Sequence, residues 1–342
     1  MKALLLSAPG RLEYLDVPEP AVGPDDVLVR VRAAGICGSD IHGMDGSTGR
    51  RVTPLIMGHE AAGVIEAVGG AVSGWRAGDA VTFDSTIWCG ECSFCASGRV
   101  NLCDRRRVLG VSPGDYRQDG AFAEYVAVPA RILYALPGGL SMTDAALAEP
   151  LAVAAHAVSR ASMTPTTTAV VIGAGVIGLF VMAVLKASGC ERIVAVDLSP
   201  ARLERARTIG ATDVVPAGGD AATAILDLTH GRGADVAFEA VGIDSTVGLA
   251  VASVARGGTV VLVGNLAPTV GLALQAAVSR ELSLLGSAAS SGEYPRALEL
   301  LASRRIDAGS LISAVAPLSE GADWFDRLRT PGTDLLKVIL EP

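Results

Sequence analysis

Apolar residues alternate with polar ones over short stretches of the first 150 residues, which is the pattern of half-buried β-strands. Val27, Val29 and Val31 share one side of such a stretch, and Arg30 lies between them on the other. Similar short runs bounded by glycine or proline recur, so strands are predicted at 27–31, 64–68, 80–83, 122–128 and 131–136. Their irregular spacing favours a folded-over or barrel-like sheet.

From about residue 150 the pattern changes to strands separated by helices. The strand candidates are 170–172, 193–197, 214–215, 236–239, 259–264 and 282–285. One intervening helix is predicted over 200–209, ending at Gly210. Alternating strands and helices form parallel sheets covered on both faces, so six such strands predict a complete doubly wound dinucleotide-binding fold. A further helix at 294–303 and a closing strand at 337–340 follow.

Composition removes several classes of function. The chain has 342 residues, half of them apolar, and a net charge of −8. Its longest basic run is 105–107, so nucleic acid is not expected as a partner. The uncharged stretch 161–185 is long enough for a transmembrane helix, but its three glycines and strand-like beginning argue against a membrane span. The N-terminal apolar run is too short for a secretory signal, so the expected location is the cytoplasm.

A glycine-rich turn separates the first strand of the second part from an apolar helix. Gly173, Gly175 and Gly178 have the spacing that permits a tight turn and lets the backbone approach a pyrophosphate. Val176 and Ile177 open the helix, whose amides and positive dipole end would face the phosphates. By themselves the three glycines are equally compatible with close packing of a helix on a strand.

The residues after this turn favour the nucleotide interpretation. A second strand ends in Asp197, nineteen residues after Gly178, where an acidic residue binds the adenosine ribose hydroxyls in such folds. A carboxylate repels the 2′-phosphate of NADP, so Asp197 predicts a preference for NAD. Arg202 would weaken that preference.

Four of the six cysteines lie within fifteen residues, at Cys89, Cys92, Cys95 and Cys103. In a chain expected in the cytoplasm such a cluster indicates a metal site rather than disulfides. Four thiolates around one ion form a closed tetrahedral site, which is typical of structural zinc. A four-iron cluster is the alternative, because it also uses two-residue gaps.

A second set of candidate metal ligands is spread along the chain. It consists of one cysteine, one histidine and two glutamates: Cys37, His59, Glu60 and Glu149. Such a mixed set can leave a coordination position open, as zinc catalysis requires. The ligands lie far apart in sequence, so their spacing alone does not establish the site.

The chain resembles a known family at these residues. The pattern GHE-x2-G-x5-G-x2-V, beginning at Gly58, resembles the signature of the zinc-containing medium-chain alcohol dehydrogenases. The cysteine cluster and the glycine turn lie where that family has them, and the resemblance covers essentially the whole chain. Glu149-Pro150 is similar to the sorbitol (L-iditol) and threonine dehydrogenase branch, whereas ethanol-type members have cysteine at that position.

This resemblance implies roles for individual residues. Cys37, His59 and Glu149 would be ligands or near-ligands of a catalytic zinc, and Glu60 would bind it directly or through water. Asp40 would orient His59. An alcohol on zinc would lose its proton through Ser39, a ribose hydroxyl of the cofactor and His42, and its hydride would pass to the nicotinamide.

The resemblance also implies an α/β architecture with a discontinuous first domain. Residues 1–150 and 289–342 would form a β-rich, GroES-like, zinc-binding catalytic domain. Residues 151–288 would form an inserted NAD-binding Rossmann domain with a six-stranded sheet, and the active site would lie in the cleft between the domains. Family members form dimers or tetramers by pairing edge strands, for which 282–285 is the candidate.

Three further residues are expected to contact the cofactor. Val263 and Asn265 would meet the nicotinamide through their backbone. Lys337 is expected either to reach the pyrophosphate or to be a surface residue of the closing strand.

The predicted function is oxidation of a secondary alcohol of a polyol, sugar or amino alcohol to the ketone, with NAD as hydride acceptor and two kinds of zinc site. One alternative is an NAD-using, pathway-specific enzyme acting on an unusual alcohol. The other is a non-catalytic relative that binds zinc and NAD. Zinc-independent reductases of the same fold lack both the cysteine cluster and the Cys/His/Glu set.

Overall fold

The computed structural model describes residues 1–330 and 332–342, which form two compact units. Unit 1 comprises Met1–Glu149 and Ser290–Pro342, and unit 2 comprises Pro150–Ala289. The sequence analysis placed the two divisions after residues 150 and 288.

Short strands dominate the part of unit 1 that precedes unit 2. Its strands are β1 (Lys2–Ala8), β2 (Arg11–Asp16), β3 (Asp26–Gly35), β4 (Leu55–Ile56), β5 (Glu60–Val68), β6 (Ala80–Phe83), β7 (Thr86–Ile87), β8 (Arg107–Val108), β9 (Tyr125–Pro129) and β10 (Leu133–Ala135). Its helices are α1 (Gly38–Gly43), α2 (Ser93–Ala96), α3 (Met142–Ala145) and α4 (Ala148–Ser159), and the division between the units falls within α4.

Unit 2 continues with alternating strands and helices. Its elements are β11 (Thr168–Ile172), α5 (Val176–Ala187), β12 (Arg192–Asp197), α6 (Pro200–Ile209), β13 (Asp213–Pro216), α7 (Ala221–Leu228), β14 (Ala234–Glu239), α8 (Asp244–Ser253), β15 (Val254–Leu262), α9 (Leu274–Ser279) and β16 (Ser283–Gly286). All six strands are parallel, in the order β13-β12-β11-β14-β15-β16. This is the strand order of the doubly wound dinucleotide-binding fold, which confirms the predicted fold class of this unit.

The C-terminal segment returns to unit 1 and contributes α10 (Tyr294–Ala302), β17 (Ile312–Pro317), α11 (Gly321–Arg329) and β18 (Lys337–Glu341). The main sheet of unit 1 has the order β10-β6-β5-β3-β18-β17, and β9 also pairs with β3. A second sheet has the order β2-β1-β4. The sequence predicted α10 and β18, but β1, β2, β17 and α11 were not predicted.

Strand β3 is the centre of the main sheet. It pairs along its length with β5, and near its end Gly35 and Ala34 pair with Ile339 and Leu340 of β18. The amide of Ile36 then donates to the carbonyl oxygen of Val338 at 2.9 Å. The last strand is therefore fixed by backbone hydrogen bonds beside the segment that leads into α1.

Each unit has its own apolar core. In unit 1 the core lies between the sheets and α11, where the rings of Phe122 and Phe325 meet edge to face with centroids 5.8 Å apart. In unit 2 the core residues lie mainly on the strands, such as Val170 and Val194, and on the helices packed against them, such as Ile225. No helix among the described residues combines the length and the apolarity needed to cross a membrane.

The glycine turn before α5 provides a test of this packing. A methyl group on Gly178 would overlap the carbonyl oxygen of Gly173, whereas a methyl group on Gly175 meets nothing within 4 Å. Because backbone cannot yield as a side chain can, Gly178→Ala is expected to lower the free energy of unfolding by about 3 kcal/mol. Gly175→Ala, the matched control, is expected to change it by less than about 1 kcal/mol. Urea denaturation followed by circular dichroism measures both, and equal stability of the two variants would contradict the packing argument.

Candidate metal and cofactor sites

Three of the predicted catalytic ligands meet in unit 1. One candidate ligand atom from each of Cys37, His59 and Glu60 lies within 4.8 Å of the other two. Cys37 precedes α1, two residues after the end of β3, and Glu60 is the first residue of β5, directly after His59. Because β3 and β5 are antiparallel, with Gly35 opposite Glu60, the end of one strand faces the beginning of the other. Sheet register therefore brings together residues that are separate in sequence.

Asp40 lies behind the imidazole of His59. Oδ1 of Asp40 is 3.4 Å from Nδ1 of His59 and accepts a hydrogen bond of 2.8 Å from Nη2 of Arg51. Burial alone would raise the pKa of Asp40, but the positive charges of His59 and Arg51 hold it well below its usual range. The carboxylate therefore stays ionised beside Nδ1 of the imidazole, the place from which a carboxylate orients a metal-binding histidine. Arg51 was not predicted, since nothing in its local pattern distinguishes a buried arginine from a surface one.

His59 is also affected by its neighbours. Burial would lower the pKa of this imidazole, but the negative charges of Asp40 and Cys37 raise it well above its usual value. A cation at this point is thus favoured by the surrounding charge, whether it is a proton or a metal ion.

Glu60 has a partner that the sequence analysis assigned differently. Its Oε2 accepts a hydrogen bond of 2.5 Å from Nζ of Lys337, which also donates to the carbonyl oxygen of Ile36 at 3.0 Å. Lys337 is only 2% exposed, so the expectation of a surface strand residue is wrong. Its ammonium is bound by Glu60 within unit 1. The predicted contact of Lys337 with the pyrophosphate stays a prediction.

Glu149 stands apart from the three-residue metal group. It is buried near the beginning of α4, and its Oε1 accepts a hydrogen bond of 2.9 Å from Oγ of Ser85. Burial and the nearby charge of Glu60 raise the pKa of Glu149 to about 7, against the opposing effect of His59. The structure thus brings three of the four predicted ligands together and holds the fourth on Ser85, a residue that the sequence analysis missed.

The two predicted proton-relay residues are exposed. Ser39 and His42 both lie on α1, the helix that Cys37 precedes, and both side chains face solvent. Their roles in proton transfer stay predictions.

The chemistry of this donor set fits zinc. A thiolate sulfur, an imidazole nitrogen and a carboxylate oxygen are the three ligand types that zinc takes in proteins, and three protein ligands leave a fourth position for a small molecule. Cys37, His59 and Glu60 would hold the ion.

The four clustered cysteines form a second metal group. The sulfur atoms of Cys89, Cys92, Cys95 and Cys103 all lie within 4.8 Å of one another. Sγ of Cys95 is 3.5 Å from Sγ of Cys92 and 3.9 Å from Sγ of Cys89. Four sulfurs at the zinc–thiolate distance form a tetrahedron with edges of about 3.8 Å, so the spacing fits one zinc ion. A four-iron cluster binds its cysteines through separate irons and would hold the sulfurs farther apart.

The glycine turn of unit 2 leaves open space where a pyrophosphate would approach. Gly173 has φ +96°, a conformation that favours glycine, and forms the tight turn after β11. Gly178 packs on the backbone of Gly173, while Gly175 at the beginning of α5 has no atom near its missing side chain. Val176 and Ile177 form the first residues of α5. These are the three separate glycine roles of a dinucleotide-binding turn, so the turn fits NAD.

Asp197 ends β12 beside this turn. Its Oδ2 accepts a hydrogen bond of 2.7 Å from the amide of Ala174, and its Oδ1 accepts one of 2.9 Å from the amide of Ser199. Arg202 follows in the first turn of α6, and its Nε is buried without a hydrogen-bond partner among the described residues. The structure thus places Asp197 at the carboxyl end of β12 and Arg202 at the beginning of α6, and their contact with the ribose stays a prediction.

The backbone expected near the nicotinamide lies at the same edge of the sheet. Val263 and Asn265 follow β15, and the amide of Val263 donates to the carbonyl oxygen of Glu239 at the end of β14. In a parallel sheet the carboxyl ends of all strands meet at one edge, where this fold binds its ligands. All of the predicted cofactor residues of unit 2 lie along that edge.

Comparison with known proteins agrees with this combination of fold and sites. Residues 23–138 match the alcohol dehydrogenase GroES-like domain, and residues 176–303 match the zinc-binding dehydrogenase domain. Sorbitol dehydrogenase of Bacillus subtilis (strain 168) is 35% identical, with 100% of this chain and 97% of the relative aligned. The chain belongs to the family of zinc-containing medium-chain alcohol and polyol dehydrogenases.

Two solved structures resemble the whole chain. A candidate zinc-binding dehydrogenase from Sinorhizobium meliloti 1021, bound to NADP, has a TM-score of 0.92 at 33% identity, covering 100% of this chain and 99% of that one. An alcohol dehydrogenase from Escherichia coli CFT073, complexed with NADH, has a TM-score of 0.92 at 29% identity with the same coverage. The two neighbours differ in cofactor, so the selectivity of this chain depends on its own residues.

Proposed function

We propose that this protein oxidises a secondary alcohol of a polyol or sugar to the ketone, with NAD as hydride acceptor. The observation that carries the proposal is the convergence of Cys37, His59 and Glu60 in a chain similar to a sorbitol dehydrogenase. When bound, zinc would supply a Lewis acid that lowers the pKa of the alcohol, and NAD would take up the hydride.

The residues around the metal group prepare it for this chemistry. Asp40, held by Arg51, fixes the orientation of the His59 imidazole. Ser39 and His42, exposed on α1, carry the proton of the alcohol to solvent. Glu149 is buried and bound through Oε1 to Ser85, so its second oxygen can accept a hydrogen bond from a substrate hydroxyl, which suits a substrate with several hydroxyl groups.

Two alternative functions are considered for the same residues. A pathway-specific enzyme for an unusual alcohol would use the same residues and differ only in its substrate. A non-catalytic relative would need to lack a ligand, and the intact set of Cys37, His59 and Glu60 speaks against it.

For the cofactor, we favour NAD over NADP because Asp197 ends β12 with a carboxylate at the ribose position. Arg202 offers a positive charge nearby and limits this selectivity. For the location we propose the cytoplasm, because all six cysteines are free thiols and five of them lie in the two metal groups.

Replacing one ligand tests the proposed reaction. Cys37→Ser is expected to lower polyol turnover by at least about 100-fold while leaving NAD affinity unchanged, because the residue lies in unit 1 and the glycine turn in unit 2. NAD reduction is followed spectroscopically with polyols, sugars, amino alcohols and simple alcohols, with and without a chelator. Cys190→Ser, which alters a cysteine outside both metal groups, is the matched control. Normal turnover by Cys37→Ser would refute the zinc mechanism.

Replacing the ribose-site carboxylate tests the cofactor. Asp197→Ala is expected to weaken NAD binding about 10- to 100-fold, the effect of losing a charged hydrogen bond. It is also expected to strengthen NADP binding, since the repulsion of the 2′-phosphate is removed. Dissociation constants for both cofactors come from fluorescence titration, with Asp213→Ala, at the beginning of the neighbouring strand β13, as the control. An unchanged NAD/NADP ratio would remove Asp197 from this role.

We also propose that the chain forms a homodimer or homotetramer through the edge of the unit 2 sheet. Strand β16 ends that sheet, and Leu274 and Val278 of the preceding helix α9 are 65% and 68% exposed. Exposed apolar side chains beside an open strand edge favour pairing with a second copy.

Light scattering measures this assembly directly. The wild-type chain of 34.8 kDa is expected at two or four times that mass, and Leu274→Asp with Val278→Asp at the mass of one chain. Leu198→Asp, at a side chain that is 81% exposed after β12, is expected to leave the mass unchanged. A monomeric wild type would overturn the assembly proposal.

A further inference from the structure

Lys337 is a buried cation in a chain that has only three lysines. It begins β18, and its Nζ bridges two groups of the metal site: the Oε2 of Glu60 and the carbonyl oxygen of Ile36. Ile36 immediately precedes Cys37. The ammonium group of Lys337 therefore connects the backbone next to the ligand Cys37 with the side chain of the ligand Glu60.

The side chain of Lys337 is not required to hold β18 in place. Backbone pairing of Gly35 with Ile339, and the hydrogen bond from Ile36 to Val338, already fasten that strand to β3. A buried ion pair is also weak evidence for stability, because the cost of removing both charges from water offsets most of their attraction. Strand pairing therefore does not explain why a lysine is buried at this position.

Gly35 shapes the same contact from the opposite side. It pairs with Glu60 across the β3–β5 ladder, and a methyl group on Gly35 would overlap Oε2 of Glu60. The carboxylate thus lies over the bare backbone of Gly35 with Oε2 bound to Lys337. Only its second oxygen is left free of this contact.

We propose that Lys337 is a positioning residue that holds the Glu60 carboxylate at a fixed place relative to Cys37, with one oxygen free to bind zinc. Gly35 provides the space that this position needs. The inference rests on the proposed zinc site, and it assigns Lys337 to the metal ligand Glu60 rather than to the cofactor.

The test measures zinc affinity without substrate or NAD. Lys337→Met keeps the apolar stem and removes the ammonium, and Gly35→Ala keeps the ammonium and displaces the carboxylate. Lys2→Met is the matched control, since Lys2 forms an exposed ion pair with Asp16 in the same unit. Each full-length protein, loaded with two zinc ions, is titrated with a chelator, and the zinc held by the four-cysteine site serves as an internal standard of folding.

Lys337→Met and Gly35→Ala are each expected to weaken the catalytic-site zinc about 10- to 100-fold, the usual effect of removing a group that orients a ligand. The zinc on the four cysteines and both zinc ions of Lys2→Met are expected to bind as in the wild type. Cobalt(II) loaded in place of zinc is expected to change its visible spectrum in both site variants, because the ligand set is altered.

A double-mutant cycle separates the proposed route from a general loss of structure. If Lys337 acts through Glu60, Lys337→Met changes zinc affinity less than twofold in a Glu60→Gln background. An equal weakening in both backgrounds would overturn the proposal, and so would wild-type zinc affinity in Lys337→Met. If Lys337→Met fails to fold, Gly35→Ala tests the proposal alone. A Gly35→Ala variant with the zinc affinity and the cobalt spectrum of the wild type would overturn it.

These results are independent of turnover. If both variants bind zinc more weakly and the wild-type protein oxidises no alcohol, the positioning role is supported and the proposed function is rejected. Turnover by the wild type, with unchanged zinc affinity in both variants, would do the reverse.

Discussion

The antiparallel register of β3 against β5 is the constraint on which the candidate catalytic site depends. It places Gly35 opposite Glu60 and so brings Cys37, two residues after β3, close to the beginning of β5. A shift of one residue would turn Glu60 to the other face of the sheet and separate it from Cys37. The register of the sheet thus determines where the metal ligands lie, and neighbouring side chains affect only their orientation.

Two buried cations then balance the acidic groups around this point. Arg51 neutralises Asp40, which is fully buried, and Lys337 neutralises Glu60. Burial would lower the pKa of Lys337, but the charges of Glu60 and Cys37 raise it above its usual value, so the ammonium keeps its proton. Glu149 accepts a hydrogen bond from the Ser85 hydroxyl, and no cation of residues 1–330 or 332–342 is recorded at hydrogen-bond distance from it, so burial raises its pKa to about 7.

The sequence predicted the structure best where a local pattern is compatible with only one kind of element. Helix α6 was predicted over its observed range, with Gly210 as its end, and the structure adds a cap by the Ser199 side chain at its beginning. Strand β17 and helix α11 were not predicted, since β17 is largely exposed and α11 is rich in charged residues. The roles of Lys337 and Ser85 depend on partners that are far away in sequence, 277 and 64 residues respectively, and no local pattern encodes them.

The division of unit 1 into two segments has a consequence for how the chain folds. Strand β18 must find β3 across an intervening segment that contains all of Pro150–Ala289. For a flexible chain, the entropy lost on closing such a loop grows with its length. Unit 2 is contiguous and has a core of its own, so it can become compact first and shorten the effective loop. Early folding of the nucleotide-binding unit would thereby speed completion of the metal site.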